Sequence, residues 1–396
     1  GAGQPIDMGL VEEEAMGIFG ISYRGIGSSG FGNPAFFGQT FYTTANVAIS
    51  AERYSASDNQ SSSVNRLINP SSILISYPLI GGKLGIATGL FPVTRYRFRI
   101  FQDGSVQNGP DEPIDISVND QGAGGINKFE VGLGLKVSDN LYLGWAPSFV
   151  FVSSQLETLF ETNDGSIGQQ FTQFNIDGQG FGSRFGVALN IPKFTNEDDV
   201  LSLGATLNLP VRIDANRSKE FDKFLGNDFA TVVIEDGPGL GSGDIGLPLE
   251  VGAGLTYYPG IYTNFSVETQ FQQWSQAQYD FNESDEALLK DRLRIGFGGQ
   301  FHPYRSGSSK FLSRFKYSLG SSYDTGHLSI NGENIETLLF SAGFGILSTR
   351  SRSTLDFSMF YGVRGTRNNN LVKEDIFGFK LSVNLTELMF IRPKLQ

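Results

Sequence analysis

The sequence predicts an all-β fold: a 14-stranded antiparallel transmembrane β-barrel with an N-terminal hatch. Three observations carry this. Apolar and polar residues alternate with period 2 over many stretches of about 9 to 14 residues, long enough to cross a bilayer as tilted strands. No run of 18 apolar residues occurs in the 396, which leaves a closed barrel as the membrane-spanning option, because it alone can then satisfy its backbone in hydrocarbon. The connections alternate short and long, as turns and loops at opposite ends of a barrel do.

The first 42 residues stand apart. They hold Glu12-Glu13-Glu14 and then Gly17, Gly20, Gly25, Gly27, Gly30 and Gly32, with little alternation. A fourteen-stranded barrel is too wide for its own side chains to fill, so a compact segment of this size is a natural plug.

Alternation starts near Thr43. Fourteen segments follow: 43–55, 71–80, 83–100, 127–137, 141–153, 180–191, 200–213, 247–258, 262–275, 291–302, 314–325, 335–347, 354–365 and 375–386. In the fourth, Phe129, Val131, Leu133 and Leu135 oppose Glu130, Gly132, Gly134 and Lys136. In the last, Phe377, Phe379, Leu381, Val383 and Leu385 oppose Gly378, Lys380, Ser382 and Asn384. The large apolar residues suit lipid; the Gly, Ser and Asn face suits a crowded or wet lumen. Short turns follow even strands, such as Gly81-Gly82 and Ser138-Asp139-Asn140. Long loops follow odd ones: 101–126, 156–179 and 214–246. Phe221, Phe224, Leu225 and Phe229 in the last loop have the spacing of a short amphipathic helix. The barrel is thus expected over 43–387, with 388–396 a periplasmic tail.

Composition narrows the chemistry. Thirty Lys and Arg against 41 Asp and Glu give a net charge of −11, a poor footprint for nucleic acid. Cysteine is absent, which removes thiolate catalysis, disulfides and Cys-ligated metals. His302 and His327 are the only imidazoles, and neither has a nucleophile at readable spacing. No Gly-x-Ser-x-Gly is present, so an enzyme is not expected, nor a metal or cofactor. Gly25 to Gly30 fits G-x-G-x-x-G, but Asn33-Pro34 blocks a following helix, so glycines packing a hatch explain it better. Asn196-Glu197-Asp198-Asp199 and Asp111-Glu112 lack the spacing of a calcium loop. Glu12-Glu13-Glu14 reads as a solvated run, the alternative being a basic partner or a divalent cation.

Arg95, Arg97 and Arg99 are the sharpest side-chain signal. Leu84, Ile86 and Leu90 set the outward parity of their strand, and carrying it through Tyr96, Phe98 and Ile100 turns the three arginines inward. Such a ladder suits a carboxylate; the other reading is pairing with acidic hatch or loop residues. Pro92, which cannot donate a ladder hydrogen bond, lies in the same strand beside Gly89.

With these features in register, the chain resembles the FadL family of outer-membrane transporters for fatty acids and other hydrophobic compounds. Asn33-Pro34-Ala35 is similar to the family's hatch motif, Leu247-Pro248-Leu249-Glu250-Val251-Gly252 to its strand-eight opening, and the run from Phe265 to Trp274-Ser275 to its next strand. The tail 388–396 and the glycine-rich hatch depart from the usual pattern, and the tail looks like Bacteroidetes members of the family. The resemblance implies passive uptake across a bacterial outer membrane, most simply of long-chain fatty acids. Arg95, Arg97, Arg99, Phe221, Phe224 and Leu225 would contact the ligand, and a strand-three kink at Gly89 and Pro92 would open the wall. It also implies contact with outer-membrane lipid or lipopolysaccharide. A PorV-like branch, a carrier or scaffold barrel serving protein secretion or surface anchoring, is the alternative.

Overall fold

In the computed structural model, fourteen strands close into one antiparallel barrel. The structure describes all residues except 1–2, 7–8, 26–27, 29, 108–112, 163–168, 226–227, 236, 238, 282–286, 304–310, 349–350 and 388–396. The tail 388–396 and the pair Asp111-Glu112 therefore lie outside the described residues. The strands are β1 (Thr43–Ser57), β2 (Ser62–Ile80), β3 (Leu84–Pro92 and Thr94–Val106), β4 (Ile114–Lys136) and β5 (Leu141–Thr162). Then come β6 (Gln169–Pro192), β7 (Val200–Asn208 and Val211–Leu225) and β8 (Asp228–Ile234, Gly241–Leu247 and Glu250–Gly260). The circuit ends with β9 (Thr263–Gln272), β10 (Arg292–Phe301), β11 (Phe315–Asp324), β12 (Thr337–Leu347), β13 (Thr354–Arg364) and β14 (Lys373–Glu387). Each pairs with its successor, and β14 pairs with β1 from Thr43↔Glu387 to Ser57↔Lys373. Among the described residues no helix is long and apolar enough to cross a membrane.

The outward face is the apolar one. Val47, Ile49, Phe265, Val267, Phe297, Leu319, Phe379 and Leu385 are exposed. The inward face keeps small polar residues buried, among them Thr44, Asn46, Ser50, Ser266, Ser358 and Ser382. Burial here comes from the N-terminal segment, which lies against these inward faces. Among its described residues, helix α1 (Val11–Ala15) and a 3₁₀ helix (Pro34–Gln39) are the helical turns.

The wall rises higher on one side than alternation indicates. Most of 101–126, 156–179 and 214–246 is strand, not loop. Phe221 and Phe224 lie on a hairpin in which Phe221 pairs with Val232, and Phe224 with Phe229, so the amphipathic helix is corrected to a strand. The side chains of Phe224 and Leu225 fall outside the described residues.

Candidate functional site

Glycines let the N-terminal segment touch the wall by its backbone. Gly85, Gly134, Gly144 and Gly186 stand directly opposite one another across β3 to β6. The 3₁₀ helix lies on this lane: a Cβ at Gly134 would stand 2.7 Å from the Pro34 carbonyl oxygen, and one at Gly186 2.8 Å from Pro34 Cδ. Asn33 caps the helix, its Oδ1 accepting from the Ala35 amide at 3.0 Å. Its Nδ2 donates to the carbonyls of Ile21 at 2.8 Å and Val187 at 3.0 Å, fastening the segment to β6.

Charge fastens the segment as well. Glu12-Glu13-Glu14 is not a solvated run: Glu12 and Glu13 are buried. Glu12 pairs with Lys316, which also meets Asp356 at 2.8 Å, and Glu14 pairs with Lys380. Glu268 accepts from the amides of Phe19 and Ser22, each at 2.7 Å. Arg184 pairs with Glu130 and donates to the Gly32 and Phe31 carbonyls at 2.8 and 2.9 Å. Among the described residues Glu13 pairs with no cation, and burial pushes its carboxyl well above the usual carboxylate range against one hydrogen bond from the Leu10 amide.

Above this segment is a cavity of about 750 Å³, lined by Tyr96, Phe98, Leu156, Phe174, Trp274 and Phe281 with others. The connection between β9 and β10 folds inward to roof it: the Gly246 amide donates to the Gln278 carbonyl at 2.7 Å, and Phe281 is buried. The polar groups here are engaged. Arg217 donates to the Phe281 carbonyl at 3.3 Å and stacks on Phe174 at 4.4 Å, while Arg292 grips Asp324. His327 lies 4.9 Å from Trp274, and burial drops its imidazole to about 4, keeping it neutral. A second cavity of about 190 Å³ adjoins at Pro5 and Trp274 and includes Phe19, Phe91, Val93 and Lys128. Its Gly9, Gly32, Phe91 and Pro92 also line a cleft of about 10 Å³ in the wall, beside Ser71 and Ser72; a cavity needs about 10–15 Å³ for one water.

That cleft marks a break in the ladder. β2 pairs with β3 only up to Ile73↔Leu90. Ser71 is bulged out of the β1–β2 ladder, where Ala48 faces Ser72 but Ile49 faces Pro70. β3 carries its own extra residue at Val93, between Pro92↔Asn127 and Tyr96↔Gly124. Gly89 and Pro92 therefore sit at the break. Above it Gln4–Pro5 pairs with Arg95 and Thr94, and the Ile6 amide donates to the Val93 carbonyl at 2.8 Å, so the N-terminus edges the slot.

The bulge at Val93 reverses the parity of β3. Tyr96 and Phe98, not the arginines, line the cavity. Arg97 and Arg99 are exposed, and Arg99 packs over Phe101 on the same face at 4.5 Å. Arg95 is half-buried and reaches across the slot to the Pro70 carbonyl at 3.3 Å. The inward ladder is thus corrected to an outward one. Phe221 is half-buried on the tall hairpin and does not line the cavities. Among the described residues no group of three or more His, Asp or Glu could hold a metal. Sequence reading missed Lys128, Phe174, Arg217, Trp274 and Phe281; the signal available was the aromatic run Trp274 to Phe281, which breaks alternation.

A family model described as BamG matches residues 1–396. Among curated proteins none matches. Among solved structures, the chain is similar to a Pseudomonas aeruginosa FadL homologue at 12% identity, over 98% of this chain and 100% of that one, with TM-score 0.64. The Ralstonia pickettii toluene transporter TbuX matches at 14% identity, over 96% and 98%, with TM-score 0.60. The Pseudomonas putida toluene transporter TodX gives the same identity, coverage and score. At these identities the likeness is one of fold.

Proposed function

The chain belongs to the BamG family, and from that premise we propose that it is a bacterial outer-membrane barrel that takes up hydrophobic small molecules and passes them sideways through its wall. The observation that carries this is the series of adjoining cavities, from the aromatic chamber of about 750 Å³ to the break between β2 and β3. Hydrophobic ligands bind in concave apolar chambers with a few placed polar groups. Tyr96, Phe98, Phe174 and Phe281 supply the apolar wall. The slot bulges, Ser71 and Val93, lie where a molecule would leave toward lipid. Solved structures similar to it in fold include proteins described as toluene transporters and a FadL homologue.

Long-chain fatty acids are the substrate class within this reading. A carboxylate in the middle cavity would meet Lys128, whose ammonium is 5.9 Å from the Phe91 ring centre and makes no ion pair among the described residues. The chain has two tryptophans, Trp145 exposed on the outside and Trp274 buried where the two cavities meet. In a Trp145→Phe variant, a brominated fatty acid should quench the remaining fluorescence saturably, by contact with Trp274. Absence of saturable quenching would defeat the reading.

One observation favours a second function, the carrier or scaffold barrel. The tall hairpin of β7 and β8 exposes Val232, Val233 and Ile234 in a row, at 52%, 58% and 38%, an apolar edge suited to a protein partner. Photo-crosslinkers at Val232 and Val233 test it: capture of a discrete outer-membrane or secretion protein supports a scaffold, and no adduct in intact cells opposes it.

A further inference from the structure

The outer surface near the slot holds three arginines that pair with nothing among the described residues. Arg53 on β1 and Arg66 on β2 stand directly opposite each other in the ladder. Strand parity turns both outward, since Ser50 and Tyr54 of β1 face in, and both are exposed. Arg97 of β3 is exposed on the same outer face, and the Asn65 amide donates to its carbonyl at 3.4 Å, placing it beside Arg66 across the slot. Among the described residues none of the three side chains makes a hydrogen bond or ion pair. Asp375, two residues beyond Arg53's neighbour Phe377 on β14, is engaged by the Tyr361 hydroxyl at 3.1 Å.

Like charges directly opposite in a sheet repel, so this arrangement is unfavourable unless an anion bridges it. Height supplies the anion. Ile49, Ile68 and Phe379 lie just below the row at 47%, 71% and 46% exposure, and Phe377 lies beside Arg53. Apolar bands of barrels end in such aromatic girdles at the headgroup level, and the row is on the long-loop side. A guanidinium fork binds a phosphate by two parallel hydrogen bonds, and weakly hydrated arginine tolerates the interface better than an ammonium does.

We infer that Arg53, Arg66 and Arg97 form an external site for the phosphorylated headgroup of a membrane lipid, its acyl chains lying on the shelf of Ile49, Ile68 and Phe379. The inference needs the barrel to span a membrane but not the passage of any molecule through its lumen, so the two fail independently.

The test uses the full chain in mild detergent and lipid A in mixed micelles, with Arg53, Arg66 and Arg97 all changed to Gln. At about a factor of five per arginine near a charged lipid surface, the triple variant should bind roughly a hundredfold more weakly. Dephosphorylated lipid A should bind wild type no better than it binds the variant. Heat-modifiable migration confirms that the variant is folded, and R53Q alone, which relieves the repulsion, should melt no lower than wild type without lipid. Equal affinity of variant and wild type, or no preference for the phosphorylated lipid, overturns the site. Displacement of the lipid by equimolar inorganic phosphate overturns the lipid assignment and leaves a free-phosphate site. Loss of an acidic protein partner in the variant, with lipid binding unchanged, overturns it in favour of protein docking.

Discussion

A single methyl group on the glycine lane should unseat the N-terminal segment. Gly144 faces Pro34 so closely that a Cβ there would overlap the Pro34 carbonyl carbon and the Ala35 nitrogen, and at Gly186 it would overlap Asn33 Oδ1. Both obstacles are backbone or a bonded amide, which cannot swing aside, so the 3₁₀ helix itself has to lift. A lift of about 1 Å stretches the 2.8 and 3.0 Å bonds from Asn33 beyond hydrogen-bonding range. Overpacking costs about 1–3 kcal/mol, and two lost bonds add about 1 kcal/mol each. The total, about 3–5 kcal/mol, raises the open population of this region roughly a hundred- to several-thousandfold. Hydrogen–deuterium exchange of peptides covering 30–40 reads this in detergent, with the barrel strands as internal reference. Gly144→Ala and Gly186→Ala should both accelerate exchange there. Gly260→Ala, where nothing lies within 4 Å, should not. If Gly144→Ala exchanges like Gly260→Ala, the backbone of the segment does not rest on the lane.

Lys316→Met should be as damaging from the other side: it strands Glu12 and Asp356 in a buried site, a loss of about 3–5 kcal/mol, seen as protease cleavage within 10–24. Adding Glu12→Leu and Asp356→Asn should restore most of the resistance. Because burial raises the Glu13 carboxyl in the folded state, its contribution to stability is complete below the ordinary carboxylate value and is lost as pH rises through the raised one. Protection of 10–24, corrected for intrinsic exchange, should therefore fall from pH 5 to pH 8, and Glu13→Gln should flatten that fall; a rise with pH would contradict the assignment. For the ligand, Phe98→Ala should weaken binding of a fluorescent fatty acid about tenfold, from a lost aromatic contact of about 1.5 kcal/mol or more. Lys128→Met should weaken the acid more than its methyl ester, whereas Arg97→Gln should leave the ratio unchanged; a changed ratio with Arg97→Gln alone would return the arginines to the ligand path.

Along the apolar band, alternation made the fold legible because the outer and inner faces of the barrel demand opposite chemistry from successive residues. β14 and β10 lie within two residues of their sequence reading. Beyond the apolar band the two faces no longer meet opposite surroundings, so Gln169 to Phe174 carries no alternation although it is strand. The arginines failed for another reason. One extra residue at Val93 exchanges the two faces of everything after it, and nothing in Phe91-Pro92-Val93-Thr94 distinguishes a bulge that resets parity from a proline that does not. Phe221, Phe224 and Leu225 fit period 3.6 in a window too short to exclude a strand. The chamber came from distant parts of the chain, Phe98, Phe174 and Phe281, which only the closed barrel brings together.

The fastening of the N-terminal segment bears on the direction any passage would take. A straight route down the lumen would have to break Glu12–Lys316 and Glu14–Lys380, free Glu268 from two amides, and lift Asn33 from β6. Breaking each buried pair costs about 3–5 kcal/mol, and the sum exceeds what burying one acyl chain returns at about 0.8 kcal/mol per methylene once the ligand's own ordering is deducted. The slot asks for far less. Its edge is held by the ladder at Gln4–Pro5 and the Ile6 amide, neutral backbone bonds worth about 1 kcal/mol each. Behind it Leu10, Phe31 and Phe91 pack as a small apolar cluster that a hydrophobic molecule can replace contact for contact. The bulges at Ser71 and Val93 have already removed the ladder bonds that would otherwise have to be broken there. The chain is thus bolted by charge where passage would empty the lumen, and closed by neutral, exchangeable contacts where passage would lead into lipid.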